Sequence, residues 1–229
     1  MPLDKHLHIV AANKSGSTYL SNAFYKQPFK LANITEGGPA DWLRLMITSS
    51  SPGVLNNDEY NLMVELEADA KVHLTTQGYQ RIFSMKNAAS QHMEILMGNN
   101  ASLCFLPHPS VPHAKSSFLS INNIYLSDHH HLICSEIITC GRKLSGEAFK
   151  FQRYHSLTNV FLNNKMVVRE NVLLEPLSVN VHSIGQLEGY SHQSTLLFID
   201  DSADMKELAE LCYSQLSASE GISFGISAL

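Results

Sequence analysis

A single carboxylate inside an apolar run is the residue of this chain best placed for chemistry. Glu136 lies within Leu132–Thr139, a run that alternates as a β-strand requires. Strand side chains point alternately to opposite faces, so Glu136 shares its face with three apolar side chains. Burying a carboxylate there is costly unless it is hydrogen-bonded or paired, and Arg142 and Arg153 are the nearest candidate partners. The pattern is equally compatible with a solvent-facing strand residue.

The twelve histidines of the chain invite a metal-binding hypothesis. The most conspicuous cluster is Asp128-His129-His130-His131, and consecutive imidazoles can hold nickel or zinc. In a strand, however, His129 and His131 share one face and His130 lies on the other. A polar turn that leads into the next strand is therefore the favoured interpretation.

Motifs for nucleophilic catalysis or nucleotide binding are missing from the sequence. There is no Gly-x-Ser-x-Gly elbow and no glycine-rich phosphate loop. The four cysteines are scattered through apolar segments, which is typical of buried, reduced thiols and not of a zinc site or a disulfide scaffold. The sequence therefore predicts a protein that is not an enzyme. A small β-fold hydrolase or a sugar-binding module is the alternative.

Short strands must position these residues. Alternating runs separated by Gly, Asn, Asp and Ser turns recur from Leu62 to Leu174. They predict an all-β fold of many short strands, a β-helical or sandwich-like scaffold with one or two helices. Asn163-Asn164, between two such runs, predicts a hairpin because asparagine tolerates left-handed turns. No fixed-length repeat is evident, so a regular solenoid is not predicted.

Near the C-terminus the strand pattern is interrupted by one helical segment and then resumes. From Met205 to Leu216 the apolar residues recur at three- and four-residue spacings, which predicts a helix packed on the strands, with N-caps offered by residues 200–202. Residues 221–227 alternate again and predict the start of a strand that runs on to Leu229 with an open edge. No linker divides the chain, so residues 1–229 are expected to form a single domain.

Size and composition limit the function further. With 229 residues, 44% of them hydrophobic, the chain can bury a substantial core. A formal charge of −5 argues against a general nucleic-acid binder. No apolar run is long enough to span a bilayer, and the N-terminus lacks the features of a signal peptide. These features predict a cytoplasmic protein.

Several ordered motifs resemble those of the urease accessory proteins called UreD or UreH. That family carries an acidic residue, then Gly-Arg, then Gly-Glu-x-Phe, as Glu136, Gly141-Arg142 and residues 146–149 do here. Further collinear matches are Ser51–Asp58, Leu74–Phe83, Leu106–His113, Asn171, Pro176 and Gly189–Leu196. Two positions depart from the family pattern, with Asn57 where glycine is usual and Arg81 where lysine is usual.

The resemblance implies an all-β, somewhat β-helical protein that acts as a scaffold for nickel insertion. In this family the protein docks on apo-urease and on a partner, UreF, which recruits the GTPase UreG. The complex then delivers nickel in a GTP-dependent step. No cofactor would be bound stably, and nickel would be in transit. Family members generally continue with another strand and a closing helix, so the chain is expected to be truncated at its C-terminus.

The charged residues of the matched motifs form the implied site. They are Asp58, Glu136, Arg142, Glu147, Arg169 and Glu170. If several converge inside a β scaffold, they form either buried ion-pair struts or a polar, hydrated passage. Oxygen ligands hold nickel less tightly than nitrogen or sulfur ligands. Asp58 and Glu136 are therefore the residues expected to contact nickel in a transient passage. The strut interpretation stays open for each residue.

Overall fold

The structure, a computed structural model, describes residues 4–227 and contains two β-sheets that face each other. The strands are β1 (Leu7–Lys14), β2 (Ser17–Tyr25), β3 (Phe29–Asn33), β4 (Leu43–Ser49), β5 (Glu59–Leu66), β6 (Lys71–Thr76), β7 (Gln80–Ile82), β8 (Ala89–Met97), β9 (Ser102–Leu106), β10 (Ser110–Pro112), β11 (Ser117–Leu126), β12 (His131–Thr139), β13 (Arg153–Leu162), β14 (Lys165–Leu174) and β15 (His192–Asp200). A single α-helix within the described part of the chain, α1 (Met205–Ser217), follows β15. The predicted all-β scaffold is confirmed.

The chain passes from one sheet to the other and back, and each pass stacks on the one before. In sheet A, the strands β1, β5, β8, β11 and β13 run parallel to one another. In sheet B, β4, β6, β9 and β12 do the same. Antiparallel strands flank both stacks, β2 and β14 in sheet A and β3 and β15 in sheet B. This is the arrangement of a β-solenoid.

The pairing register shows a repeat that the sequence conceals. Leu43 pairs with Val72, Val72 with Leu103 and Leu103 with Leu132, so successive passes are offset by 29, 31 and 29 residues. The expectation of no regular repeat was therefore wrong for these passes. The repeat is hard to see because the excursion through β2 and β3 widens the β1–β5 offset to 55 residues, and the β11–β13 offset is 36.

Rows of aliphatic side chains hold the passes together. In sheet A, one row places a β-branched residue of each parallel strand at the same register: Ile9, Val64, Ile95, Ile124 and Val160. All five side chains are completely buried. Each such burial contributes roughly 1.5–3 kcal/mol. The row therefore forms a continuous apolar spine along the solenoid axis.

Sheet B is interrupted at the same place in successive passes. Residues 77–79 separate β6 from β7, and residues 107–109 separate β9 from β10. Strand β12 continues across this gap, pairing with β9 as far as Cys134 and with β10 at Ile138. Residues 135–137 therefore have no ladder partner on that side, and the wall of the solenoid is open beside them.

The C-terminal segments differ from the prediction in their packing. Helix α1 begins at Met205 as expected, but its N-cap is Asp204, whose carboxylate accepts hydrogen bonds from the backbone N–H groups of Lys206 and Glu207. None of its residues is fully buried. Met205, Leu208, Cys212 and Leu216 of the predicted stripe are half-buried and Leu211 is exposed, so the stripe is only partly covered. An apolar stripe makes a helix amphipathic but does not supply the surface that covers it.

The predicted C-terminal strand was also wrong over the residues that the structure describes. Residues 221–227 form no strand in the structure, because alternation alone provides no neighbouring ladder to pair with. Ala228 and Leu229, the end of that predicted strand, lie outside the described residues. In contrast, the hairpin between β13 and β14 is confirmed, with Asn163 and Asn164 both in the left-handed region.

None of the helical residues between positions 4 and 227 forms a segment with the length and apolarity to cross a membrane.

Candidate functional site

A cavity of about 340 Å³ lies between the two sheets. Its wall takes residues from every pass of the solenoid, from Phe29 and Ile47 in the first pass to Thr158 and Leu197 in the last. Because the passes stack along the solenoid axis, the cavity runs along that axis. It is the feature of the fold that brings the predicted site residues into reach of one another.

One row of the cavity wall changes from apolar to polar along the axis. One register row of sheet A shows the change: Leu62, Met93, Asn122, Thr158 and Glu170 occupy equivalent positions in successive strands, and all of them line the cavity. Asn122 donates a hydrogen bond from Nδ2 to Thr158 Oγ1 at 3.2 Å. Polar groups in such a wall require hydrogen-bond partners or water, so this row places its hydrated groups at the end of the cavity near β14.

Glu136 faces the polar end from sheet B, at the gap in that sheet. Its side chain lines the cavity, so the inward strand face is confirmed. The predicted arginine partners were wrong. Arg142 binds Glu147, and Arg153 Nε lies 3.5 Å from Glu175 Oε1. The partner of Glu136 is instead a residue of the opposite sheet.

That partner is Tyr154 on β13, whose hydroxyl donates to Glu136 Oε1 at 2.7 Å. Tyr154 is almost completely buried. Burial, together with the charge of Glu136, raises the pKa of Tyr154 well above its ordinary value. The phenol therefore keeps its proton near neutral pH and acts as the donor in this bond.

The cavity also contains a thiol. Cys134 lies two residues before Glu136 on the same strand face. Burial raises the pKa of Cys134 to about 12, with the charge of Glu136 and the neighbouring Cys104 adding to the effect. The thiol is therefore protonated near neutral pH, whereas a cysteine nucleophile or a sulfur metal ligand must be a thiolate. This argues against the hydrolase alternative for Cys134.

A second carboxylate reaches the same end of the cavity. Glu170, from β14, accepts a hydrogen bond from Thr195 Oγ1 at 3.4 Å. Thr195 is in turn the ladder neighbour of Glu136 in the pairing of β12 with β15. The two glutamates thus come from opposite sheets and share one polar region, which the sequence motifs alone did not connect.

Asp58 lies beside the cavity and not in its wall. Its Oδ2 accepts hydrogen bonds from the backbone N–H of Leu55 at 2.7 Å and from the hydroxyl of Tyr60 at 2.5 Å. Tyr60 lines both the internal cavity and a shallow surface pocket that contains His6 and Asp58. Asp58 is therefore separated from the cavity by one aromatic ring, on the outer side of the wall.

The turn before Asp58 keeps the geometry that the family motif requires. Asn57 has a φ of 65°, a left-handed conformation that glycine adopts freely and asparagine tolerates. Its side-chain oxygen accepts a hydrogen bond from Asn87 Nδ2 at 2.9 Å. The replacement of the usual glycine by asparagine is therefore accommodated.

Arg142 and Glu147 form a strut away from the cavity. Arg142 donates from Nε to Glu147 Oε2 at 2.9 Å, and Nη2 contacts the other carboxylate oxygen. The backbone N–H of Ala114 donates to the same carboxylate at 3.2 Å. Gly141, which has a φ of 98°, fits against the same connection because a Cβ there would lie 2.5 Å from the carbonyl oxygen of Pro112. The Gly-Arg motif thus ties the β12–β13 connection to the β10–β11 connection.

Arg169 also points away from the cavity. It donates from Nε to Asn159 Oδ1 at 2.9 Å, and Asn159 donates from Nδ2 to Asn123 Oδ1 at 2.9 Å. Since neighbouring strand residues face opposite sides, Arg169 and Glu170 cannot both line the interior. The structure therefore brings Glu136 and Glu170 together and leaves the two arginines outside.

The histidine cluster forms a turn, as expected. His129 has a φ of 54°, His130 is buried with Nδ1 2.8 Å from the carbonyl oxygen of Ser127, and His131 Nδ1 lies 2.6 Å from Asp200 Oδ2. The three rings thus have different partners. Throughout residues 4–227, no group of three or more His, Cys, Asp or Glu side chains is arranged to hold a metal ion.

Three further cavity residues were missed by sequence reasoning: Tyr154, Asn122 and Thr158. Each occupies an inward position in a strand whose inward face also carries aliphatic residues such as Ile124 on β11 and Val160 on β13. A polar residue in an otherwise apolar row is a usable signal, because its burial requires a partner. Their convergence on Glu136 and Glu170, however, follows from the pairing of strands far apart in sequence.

Together, the fold and the site define a β-solenoid protein with an axial cavity whose polar end holds two carboxylates from opposite sheets. Comparison with known proteins then identifies the family. The family model described as UreD urease accessory protein matches residues 4–229. This chain belongs to the UreD family of urease accessory proteins.

Individual relatives agree with this assignment. The chain is 43% identical over 222 residues to urease accessory protein UreD of Flavobacterium johnsoniae, covering 96% of this chain and 80% of the relative. It is 34% identical over 225 residues to UreD of Acetivibrio thermocellus, covering 98% and 86%. Identity to urease accessory protein UreH of Helicobacter pylori is 28% over 214 residues, covering 93% and 78%.

Proposed function

We propose that this protein is a nickel-insertion scaffold for urease. It docks on apo-urease with a UreF-like protein, which brings a UreG-like GTPase, and nickel passes through its cavity during GTP-dependent assembly of the metal centre. Membership of the UreD family supports the accessory role. The observation that carries the passage is the axial cavity, with Glu136 and Glu170 at its polar end.

The chemistry of the wall fits transit better than storage. Glu136, Glu170, Asn122 and Thr158 offer oxygen atoms, which hold nickel less tightly than imidazole or thiolate ligands do. The nearby thiol of Cys134 is protonated and is a weak ligand in that form. A cation is thus attracted by the carboxylates without being trapped by a closed set of ligands.

Of the remaining predicted residues, one lies where a cation could enter the cavity and three have structural roles. Asp58, beside the cavity and hydrogen-bonded to Tyr60, is placed to attract a cation at the outer side of the wall. Arg142, Glu147 and Arg169 serve as struts that hold strand connections and the outer sheet face. We assign no catalytic role and no stably bound cofactor to the chain, and we place it in the cytoplasm as a single domain over residues 1–229, without a nucleic-acid or membrane partner.

The test is the substitution Glu136→Gln, which removes the charge but keeps the shape of the side chain. The hydrogen bond from Tyr154 can still form to an amide oxygen, so the variant is expected to fold and to bind its partners. Nickel delivery should fall by about tenfold, the effect typical of altering a group that sets metal affinity. The measurements are urease activity, nickel content, melting temperature and pull-down yield.

A matched control is Glu147→Gln on the neighbouring strut. This change weakens the bonds from Arg142 and Ala114, so it should lower the melting temperature while leaving delivery intact at permissive temperature. A folded, partner-competent Glu136→Gln variant that activates urease fully would remove the passage role of Glu136.

A further inference from the structure

Tyr154 reaches Glu136 from the opposite side of the cavity. It belongs to β13 in sheet A, whereas Glu136 belongs to β12 in sheet B. Its ring packs near Phe118 with a centroid distance of 6.1 Å, and its hydroxyl donates to Glu136 Oε1 at 2.7 Å. A hydrogen bond therefore joins the two sheets at the polar end of the cavity.

A polar network lies on the other side of the phenol. Ser110 neighbours the Tyr154 hydroxyl and donates to Gln80 Oε1 at 3.1 Å. Gln80 in turn donates from Nε2 to Gln91 Oε1 at 3.1 Å. With the ring buried and its surroundings bonded to one another, the hydroxyl is held in one direction, towards the carboxylate.

This bond occupies one of the two oxygens of Glu136. An oxygen that already accepts a charge-assisted hydrogen bond is a poorer ligand, because part of its charge is compensated. A buried carboxylate without that donor would gain more from a divalent cation. We propose that Tyr154 is a positioning residue that shortens the residence of nickel at Glu136 by holding one of its carboxylate oxygens. The proposal rests on the function proposed above.

The substitution Tyr154→Phe removes the hydroxyl and keeps the ring. The Glu136-dependent component of nickel binding should become about tenfold tighter, the effect expected for losing a hydrogen bond to a charged group. Delivery should become slower while the final nickel content of urease is unchanged. A merely structural role of Tyr154 would not tighten binding.

The control is Ser156→Ala, which deletes another buried hydroxyl from the same face of the same strand. The Ser156 hydroxyl has no hydrogen-bond partner among the described residues. Its removal is therefore expected to leave nickel binding and delivery at the wild-type level.

The measurement is equilibrium dialysis against nickel chloride of the full chain purified together with its UreF-like partner. It compares the wild type with Tyr154→Phe, Ser156→Ala, Glu136→Gln and the double variant of Tyr154 and Glu136. Because surface histidines also bind nickel, the difference caused by Glu136→Gln isolates the component that belongs to the cavity. The double variant should bind like Glu136→Gln alone.

The outcomes separate the two ideas. If Glu136→Gln weakens binding but Tyr154→Phe does not tighten it, the role of Tyr154 is wrong and the passage stands. If Glu136→Gln changes neither binding nor urease activation, both fail. Should Tyr154→Phe not fold, replacing Tyr154 with 3-fluorotyrosine gives a stronger hydrogen-bond donor, which should weaken binding. Unchanged or tighter binding there would overturn the proposal.

Discussion

The carboxylate of Asp200 joins the end of β15 to both the turn before α1 and the start of β12. It accepts hydrogen bonds from the backbone N–H and hydroxyl of Ser202 at 2.7 and 2.8 Å and lies 2.6 Å from His131 Nδ1. Burial acts to raise the pKa of Asp200, but the hydrogen bonds from His131 and Ser202 outweigh it and lower the pKa to about 2. This side chain thus secures one end of the ladder between β12 and β15, the strand that carries Thr195 into the cavity wall.

This arrangement predicts a pH-dependent contribution to stability. The folded-state pKa lies below the value of about 3.9 in an unfolded chain, so the stabilisation is present above pH 4 and is lost as the pH falls towards 2. Asp200→Asn should lower the free energy of unfolding by about 1–3 kcal/mol at pH 7. Denaturant titrations at several pH values would show the two proteins converging in acid.

Asp201→Asn is the control for this prediction. Asp201 is more exposed and lies 3.2 Å from the exposed His129, so its loss should change stability by less than about 0.5 kcal/mol. A difference between wild type and Asp200→Asn that stays constant down to pH 2 would contradict the assignment to this carboxylate.

For single side chains, the sequence predicted correctly which strand face Glu136 lies on but predicted the wrong hydrogen-bond partner for it. The inward face of Glu136 followed from strand alternation, a local property. Its bond with Tyr154 depends on which strands lie opposite each other across the cavity, which local pattern does not encode. The nearby Arg142 was misassigned because proximity in sequence took the place of proximity in space.

Helix α1 is the element least secured by packing. Its cap is well formed by Asp204, yet none of its residues is buried, and Leu211 is 56% exposed. Leu211→Ala is therefore expected to change the free energy of unfolding by less than about 0.5 kcal/mol. Leu103→Ala, in the buried row of sheet B, should cost about 2–5 kcal/mol. Chemical denaturation of both variants makes the comparison, and a large effect at Leu211 would show that the helix packs after all.

Most strands with one buried and one exposed face were predictable, although β1 and β4, which also alternate, were not recognised. Strands from β5 to β14 showed this alternation and were recognised from sequence, apart from the shorter β7 and β10. Strand β2 is exposed along nearly its whole length, and β15 is only partly buried, so neither gives a clear two-residue period. The same limit misled the prediction at residues 221–227, where alternation occurs without a neighbouring strand.

The molecule as a whole exposes apolar side chains and strand edges. Strand β2 is the outermost strand of sheet A and carries Tyr19, Phe24 and Tyr25, each nearly half exposed. Exposed aromatic groups beside an unpaired edge promote association. The protein is therefore expected to be poorly soluble alone and to move into the soluble fraction when it is co-expressed with a UreF-like partner.

Sedimentation of lysates after expression with and without the partner measures this effect. A partner variant that no longer binds provides the control for expression level. Equal solubility in both cases would contradict the prediction. The strand predicted from residue 221 onward is absent over residues 221–227, so the exposed edge of β2 carries this prediction.

The sequence predicted the β-strand scaffold of the solenoid but not its repeat. Strand content and turn chemistry predicted a β scaffold, because both are local. The offsets of 29 and 31 residues between passes were concealed by the longer offsets at either end of the stack. A repeat built from dissimilar side chains, Leu62 and Met93 in two successive passes and Asn122 and Thr158 in the next two, has no common motif to detect. Those dissimilarities create the graded wall of the cavity.

For the nickel passage proposed above, this row of sheet A determines where an ion exchanges its water for protein oxygens. The lining of the cavity reaches from Phe29 on β3 to Thr195 on β15, strands that are five spacings or about 24 Å apart in sheet B. Beside Leu62 and Met93 this row offers no oxygen atoms, so an ion on the proposed route keeps its water on that side, since bare charge is costly among apolar groups. Beyond them, Asn122, Thr158 and Glu170 present oxygen atoms one strand apart. Water molecules can therefore be exchanged for protein oxygens one at a time, and dehydration is spread over several small steps.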